Sequence, residues 1–120
     1  MVQLSGTVIF VRDVTAMAAF YGQLSGWSPI ESGKGFVRLG HEQQQIVIHA
    51  AHGVDDDGRN EPRVETPLKI VLSAEDRSVL ERVTNAGGQV LIEREFTHQG
   101  RCHVDAVDPE GNILQLVFPA

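Results

Sequence analysis

Apolar residues recur along this chain with two different periods. In the segments Val14 to Leu24 and Arg77 to Ala86 they follow the i, i+3, i+4, i+7 spacing that places one buried stripe along a helix. The stripes contain Met17, Phe20, Tyr21 and Leu24 in the first segment and Val79, Leu80, Val83 and Ala86 in the second. Elsewhere apolar and polar residues alternate, which is typical of strands with one buried face. The pattern therefore predicts two helices in a chain that is otherwise mostly strands.

The two helical segments belong to two copies of one unit. Each follows a predicted strand, Thr7 to Val11 or Lys69 to Ser73, and each is preceded by an acid, Asp13 or Asp76, suited to a helix N-terminus. The strands predicted after the helices are 27–31, 36–39 and 44–50 in the first half, and 89–93, 101–107 and 113–118 in the second. The sequence thus predicts two tandem βαβββ modules, about 4–50 and 67–119, joined by a surface linker of about 51–66.

Composition narrows the class of protein without naming a function. A chain of 120 residues with 42% hydrophobic content can bury the core of one domain. Its single cysteine, Cys102, excludes an intramolecular disulfide and suits a reducing cytoplasm. A net charge of −6 argues against nucleic acid as the main partner, and no apolar run has the length of a signal peptide or a membrane span. We expect a cytoplasmic protein with neither a nucleic-acid nor a membrane partner.

Two motifs carry a resemblance to a known superfamily. Asp108-Pro109-Glu110-Gly111-Asn112, followed by an alternating apolar stretch from Ile113 to Leu116, resembles the closing signature of the vicinal-oxygen-chelate superfamily. Val11 to Val14, with Phe20-Tyr21 and Leu24 to Trp27, resembles its opening pattern. This superfamily includes glyoxalases, bleomycin resistance proteins and extradiol dioxygenases. The resemblance, which covers essentially the whole chain, implies an α+β fold whose modules curl into half-barrels around a cavity. It does not choose between activities, because this scaffold hosts many.

Strand alternation then assigns side chains to the cavity side that the resemblance implies. The predicted ligand-binding residues are Val8, Phe10, Val47, His49, Lys69, Arg101, His103, Asp105 and Gln115. An apolar surface with a few hydrogen-bonding groups is what small-molecule recognition needs. Lys69 and Arg101 together indicate an anionic group on the ligand, partly offset by Asp105.

A metal ion is the main cofactor to consider. In metal-dependent relatives four side chains bind a divalent ion, and the motifs map these positions onto Gly6, His49, Lys69 and Gln115. Gly6 supplies no ligand and the cationic Lys69 would repel the ion, which leaves His49 and Gln115 as weak candidates. Two ligands do not hold a hard ion against water, so we expect no cofactor and keep a divalent metal as the minor alternative.

The sequence supports three hypotheses about function. The first is a metal-independent protein that binds a small organic molecule; relatives of this kind are usually homodimers, so a homodimer is expected. The second is an isomerase, lyase or dioxygenase in which His49 or His103 acts as general base, general acid or metal ligand, and Lys69 or Arg101 stabilises an enolate. The third is a subunit or regulatory module without a ligand. His49 and Gln115 could equally be structural hydrogen-bonding residues, and His98 is placed in a surface loop.

Overall fold

A computed structural model describes residues 1–41, 43–51 and 68–120 of the chain. Its elements are β1 (Thr7–Val11), α1 (Val14–Ser25), β2 (Ser28–Gly33), β3 (Phe36–His41), β4 (Gln44–Ala50), β5 (Ile70–Ser73), α2 (Val79–Asn85), β6 (Gln89–His98), β7 (Arg101–Val107) and β8 (Ile113–Pro119). The chain separates into two compact units between β4 and β5, here called the first and the second module. Except for Ala51, the predicted linker of about 51–66 lies outside the described residues.

Each module is an open four-stranded sheet with one helix, and the two sheets have the same topology. The strand orders are β1-β4-β3-β2 and β5-β8-β7-β6. β1 pairs with β4, and β5 with β8, in parallel, whereas the other neighbours are antiparallel. This confirms the α+β class and the predicted sequence of strand, helix and three strands in both halves. No helix in the described ranges is long and apolar enough to cross a membrane.

The first helix has clear end signals. The Asp13 side chain accepts a hydrogen bond from the backbone N–H of Ala16 at 3.0 Å, which satisfies one free donor of the first turn. Gly26 ends the helix in the left-handed region, with φ 78, and its N–H donates to the carbonyl of Gly22. Met17, Phe20, Tyr21 and Leu24 are buried, as their spacing predicts.

The second helix is shorter than predicted, and its backbone hydrogen bonds explain why. It spans Val79–Asn85 rather than 77–86. The Asp76 carboxylate accepts from the backbone N–H of Ser78 at 2.8 Å, and the N–H groups of Leu80 and Glu81 each donate to a carbonyl three residues earlier, which is the pattern of a tight turn. The residues after Asp76 therefore form a turn, and the helix begins only at Val79. Val79 and Val83 are its buried residues.

Much of the core of each module lies on the helix side of its sheet, which we call the outer face. α1 contacts β3 and β4, and α2 contacts β6. The buried outer-face residues are Ile9, Val11, Ile46 and Ile48 in the first module and Val104, Ala106, Leu114 and Leu116 in the second. The alternation predicted these sides correctly. Leu68, which precedes β5, is exposed.

The largest departure from the predicted strands is in β6. The apolar alternation ends near Glu93, but the strand continues to His98. Its pairing with β7 shifts between Leu91 and Phe96, so that Phe96 resumes the ladder opposite His103. An irregularity of this kind bends a strand and changes which side chains reach a given face. It places two residues that the sequence did not predict, Arg94 and Phe96, beside the candidate site.

Candidate functional site

The candidate residues lie on the face of each sheet that is turned away from its helix, here called the inner face. In the second module Arg101, His103 and Asp105 alternate along β7 with the outer-face residues, and Gln115 lies opposite Asp105 on β8. In the first module Phe10 lies opposite His49, and Val8 opposite Val47. Within each module, the structure thus brings the predicted residues together on one face.

Asp105 is the centre of a polar network on the inner face of the second module. Asp105 is only 8% exposed, and its carboxylate has three polar side chains as partners. The ammonium of Lys69 lies 3.0 Å from Oδ1, the Gln115 amide nitrogen 3.4 Å from Oδ1, and a guanidinium nitrogen of Arg94 3.5 Å from Oδ2. A buried carboxylate needs such partners, because desolvating an unpaired charge is costly. Asp105 is therefore an organising group for Lys69, Arg94 and Gln115.

His103 is held from two sides in the same network. Its Nδ1 lies 3.3 Å from Oε1 of Gln115. Its ring stacks on Phe96, with centroids 4.6 Å apart and an interplanar angle of 4°. The His98 ring lies 6.4 Å away. These contacts fix both the position and the tilt of the imidazole.

Three members of this group were missed or misplaced by the sequence analysis. Arg94 and Phe96 lie beyond the end of the predicted strand, and His98 ends β6 instead of lying in a loop. The signal that could have found them is the pair Gln99-Gly100, where both residues have positive φ. A two-residue turn of that type joins strands that pair up to the turn itself. It requires β6 to continue as far as His98.

The inner face of the first module is mainly aromatic and apolar. The His49 ring lies 5.6 Å from that of Phe10 and 6.4 Å from that of Phe36, and its Nδ1 lies 2.8 Å from the backbone oxygen of Ala50. Val8 and Val47 continue the apolar surface, and Phe10 is 62% exposed. The His49 imidazole is therefore part of an aromatic surface on the inner face of the first module.

A charged residue that the sequence analysis did not assign to a face also lies on this side. Arg38 on β3 pairs with Val47, and its guanidinium donates to Glu31 at 3.0 Å and to the Gln45 side chain at 3.1 Å. Arg38 was missed because the faces of β3 were not assigned from its short apolar pattern. Its guanidinium already forms an ion pair with the Glu31 carboxylate.

The strand registers change which residue of this chain corresponds to one of the four metal-binding positions of metal-dependent relatives. Val71 lies opposite Gln115 in the second module, and Val8 lies opposite Val47 in the first. By register the counterpart of Gln115 is therefore Val47, which lies two residues before His49 on β4. The four side chains to consider become those of Gly6, Val47, Lys69 and Gln115, of which only the Gln115 amide is a neutral donor.

The surroundings of Gly6 also oppose a metal ligand there. A Cβ built on Gly6 would lie 2.8 Å from the backbone oxygen of Gln45, so a side chain requires the backbone to shift. No group of three or more His, Cys, Asp or Glu residues in the described ranges is placed to hold a metal ion. The donor set does not fit a divalent ion of the kind that metal-dependent relatives bind.

Three ionisable groups with shifted pKa values lie on the other side of the second module. A hydrogen bond with the Arg77 guanidinium lowers the pKa of Glu95, and the same bond raises the pKa of Arg77. Hydrogen bonds from Ser78 lower the pKa of Asp76. These groups stabilise the start of α2 and its contact with β6, and they do not belong to the inner face.

Comparison with known proteins places this geometry in a family. Residues 6–117 match the family described as Glyoxalase-like domain. The chain belongs to this glyoxalase-like family. The match confirms the superfamily that the two motifs indicated. No curated protein matches the chain in sequence.

Solved structures of the same fold support the assignment. A glyoxalase/bleomycin resistance protein/dioxygenase family enzyme from Burkholderia phytofirmans PsJN is 20% identical, with a TM-score of 0.74 over 97% of this chain and 98% of that chain. A glyoxalase-related enzyme from Fulvimarina pelagi is 19% identical, with a TM-score of 0.74 over 98% of this chain and 88% of that chain. A glyoxalase/bleomycin resistance protein from Albidiferax ferrireducens T118 is 16% identical, with a TM-score of 0.70 over 98% of both chains. At these identities the likeness concerns the fold alone.

Proposed function

We propose that this glyoxalase-like protein binds a small organic anion on the inner face of its second module, without a metal ion. The observation that carries the proposal is the local excess of positive charge. Lys69 and Arg94 both pair with the carboxylate of Asp105, and Arg101 lies on the same face of β7, in a chain whose net charge is −6. A concentrated cationic group on an otherwise acidic protein favours an anionic ligand.

The cations can still reach a ligand. The side chains of Lys69 and Arg94 are 37% and 39% exposed while they pair with Asp105. An ammonium has three donors and a guanidinium has five, so each keeps donors after one contact with the carboxylate. Asp105 orients the two cations, and an incoming carboxylate, sulfonate or phosphate would take the remaining donors.

An apolar surface lies beside the charged groups. Val71 on β5 and Phe96 on β6 are both exposed, and they flank Gln115 and His103 respectively. A ligand with an apolar body and one anionic group would remove these surfaces from water while its charge meets Lys69 and Arg94. This combination favours an organic anion over an inorganic one.

Thermal unfolding with a panel of organic acids and their uncharged amides tests the proposal. Each compound is measured with and without EDTA. We expect at least one acid to raise the melting temperature while its amide does not, unchanged by EDTA. Lys69→Gln should abolish the shift, whereas Lys34→Gln, an exposed lysine in the first module, should preserve it. A panel without any stabilising acid, or a shift that requires a metal ion, would overturn the proposal.

A second candidate function is proton transfer by His103. The fixed position of its ring beside Gln115 and Phe96, close to the cations that pair with Asp105, favours it over His49. In such a reaction His103 would take a proton next to a carbonyl, and Lys69 or Arg94 would stabilise the enolate. Turnover of a bound acid that is lost in His103→Ala but kept in His49→Ala would establish this function.

We also propose that the protein is a homodimer. Val8 and Phe10 form an exposed apolar surface on the inner face of the first module, and such surfaces are costly to leave in water. A second copy is the partner that the family resemblance favours. Sedimentation equilibrium should give twice the chain mass, and Phe10→Ser should weaken the association. A monomer at high micromolar concentration would contradict this.

A further inference from the structure

The orientation of the Gln115 side chain follows from the chemistry of its two neighbours. Asp105 forms an ion pair with Lys69, and a carboxylate only accepts hydrogen bonds. The group that Gln115 turns towards Asp105 must therefore be its NH2, which lies 3.4 Å from Oδ1. The amide oxygen is then turned towards His103, and Nδ1 of the imidazole lies 3.3 Å from it.

This orientation selects one tautomer of His103. An amide oxygen only accepts, so Nδ1 must carry the hydrogen. In the neutral imidazole the proton is then absent from Nε2, which keeps a lone pair. None of the described residues hydrogen-bonds Nε2 of His103, whose contacts are Gln115 through Nδ1, Phe96 through the ring face and the more distant His98 ring. The hydrogen-bonded series Asp105, Gln115 and His103 thus makes Nε2 of His103 a hydrogen-bond acceptor on the face that also carries Lys69 and Arg94.

We propose that the ligand of this inner face is a small organic anion that also carries an O–H or N–H donor. Lys69 and Arg94 hold its negative charge, and Nε2 of His103 accepts its donor. The inference rests on the proposed function and adds the second recognition element of the same site. Asp105 and Gln115 are positioning residues, because together they determine which nitrogen of His103 accepts from the ligand.

His49 provides an internal comparison. Its Nδ1 lies 2.8 Å from the backbone oxygen of Ala50, which likewise only accepts. We expect the same Nδ1–H tautomer for His49, but it depends on the backbone and not on Gln115. Substitutions of Gln115 or Asp105 should therefore change His103 and leave His49 unchanged.

The tautomer is measured by 15N NMR of the imidazole nitrogens in the full chain at alkaline pH. We expect His103 with a protonated Nδ1 in the wild type, a mixture of tautomers in Gln115→Leu, and the wild-type tautomer in Gln115→Glu, which keeps an acceptor. Asp105→Asn should also give a mixture, because an asparagine lets the Gln115 amide turn around. A wild-type His103 protonated on Nε2 would overturn the inference without any variant.

The ligand class is tested with three matched sets of probes: 2-, 3- and 4-hydroxybenzoate, the methoxybenzoates and the hydroxybenzamides. We expect one hydroxybenzoate to bind, and both its methoxy and its amide analogue to bind at least about tenfold more weakly. His103→Phe should reduce the difference between the hydroxy and methoxy compounds, whereas His49→Phe should preserve it. Lys69→Gln should reduce the difference between acid and amide.

The failures of the two proposals can be told apart. Equal binding of hydroxy and methoxy acids, or a panel in which the only stabilising acids lack a donor, would overturn the inference and leave the binding of organic anions intact. Absence of binding by every acid, in both this set and the wider panel, would overturn both.

Discussion

The two inner faces differ much more than the two outer faces, although the modules share one topology. Register pairs positions across the modules, so that Ile48 corresponds to Leu116, Val47 to Gln115 and Arg38 to Asp105. The outer-face pair remains buried and aliphatic. The inner-face pairs change from apolar to polar and from cation to anion. Packing against a helix explains why the outer-face pair keeps its aliphatic character, whereas these inner-face positions do not pack on a helix and differ in polarity and charge.

The largest expected effects concern the outer faces, which should respond alike. Ile48→Ala and Leu116→Ala each remove a fully buried side chain from the middle of a sheet. Each substitution should lower the free energy of unfolding by about 2–5 kcal/mol, measured by urea denaturation. A loss below about 1 kcal/mol in only one of them would show that the two cores are not equivalent.

The inner faces should respond differently at the positions of Asp105 and Arg38. Asp105→Ala leaves Lys69, Arg94 and Gln115 without their common acceptor, so we expect a loss of about 1–3 kcal/mol. Arg38→Ala breaks a partly exposed pair with Glu31 and should cost less than about 1 kcal/mol. Chemical denaturation of both variants checks this order. Equal losses would contradict the contrast between the modules.

A smaller effect is expected from pH on the outside of the second module. The hydrogen bond from Arg77 lowers the pKa of Glu95 below its ordinary value, so the pair stabilises the fold at pH values above that ordinary pKa. As pH falls through the lowered pKa the carboxylate is protonated and this contribution is lost. The stability difference between wild type and Glu95→Gln should therefore be present at neutral pH and shrink below about pH 4. A difference that grows on acidification would have the wrong sign.

The smallest expected effect is that of metal removal. Since Gly6, Val47 and Lys69 supply no neutral donor, EDTA should leave the melting temperature unchanged, and elemental analysis should give less than stoichiometric Ni, Zn, Fe or Mn. Val47→Glu is a control for this prediction. It adds a carboxylate opposite Val8 but leaves no room for a side chain at Gly6, so we expect this variant to bind no metal ion either. A metal bound in equal amount to the chain would contradict this prediction.

Part of the candidate site could be predicted from the alternation of residues alone. His103, Asp105 and Gln115 were assigned to one face because neighbours in a strand point to opposite sides. Arg94 and Phe96 could not be found in this way, because the irregular pairing after Leu91 breaks the period of two. The correspondence of Val47 with Gln115 was missed for a related reason. Motif spacing counts residues along one strand, whereas the equivalence depends on which residues lie opposite each other across two strands.

The repeated order of strands and helices, the buried stripe of α1 and the apolar outer faces could all be predicted from the sequence. These follow from periodicities of 3.6 and 2 residues, which are local properties of the chain. The register of the sheets, the contacts of Asp105 with Lys69 and Arg94, and the bond from His103 to Gln115 became visible only in the folded chain. Those partners lie between 10 and 36 residues apart along the chain. Their distances are set by strand pairing, which no local pattern records.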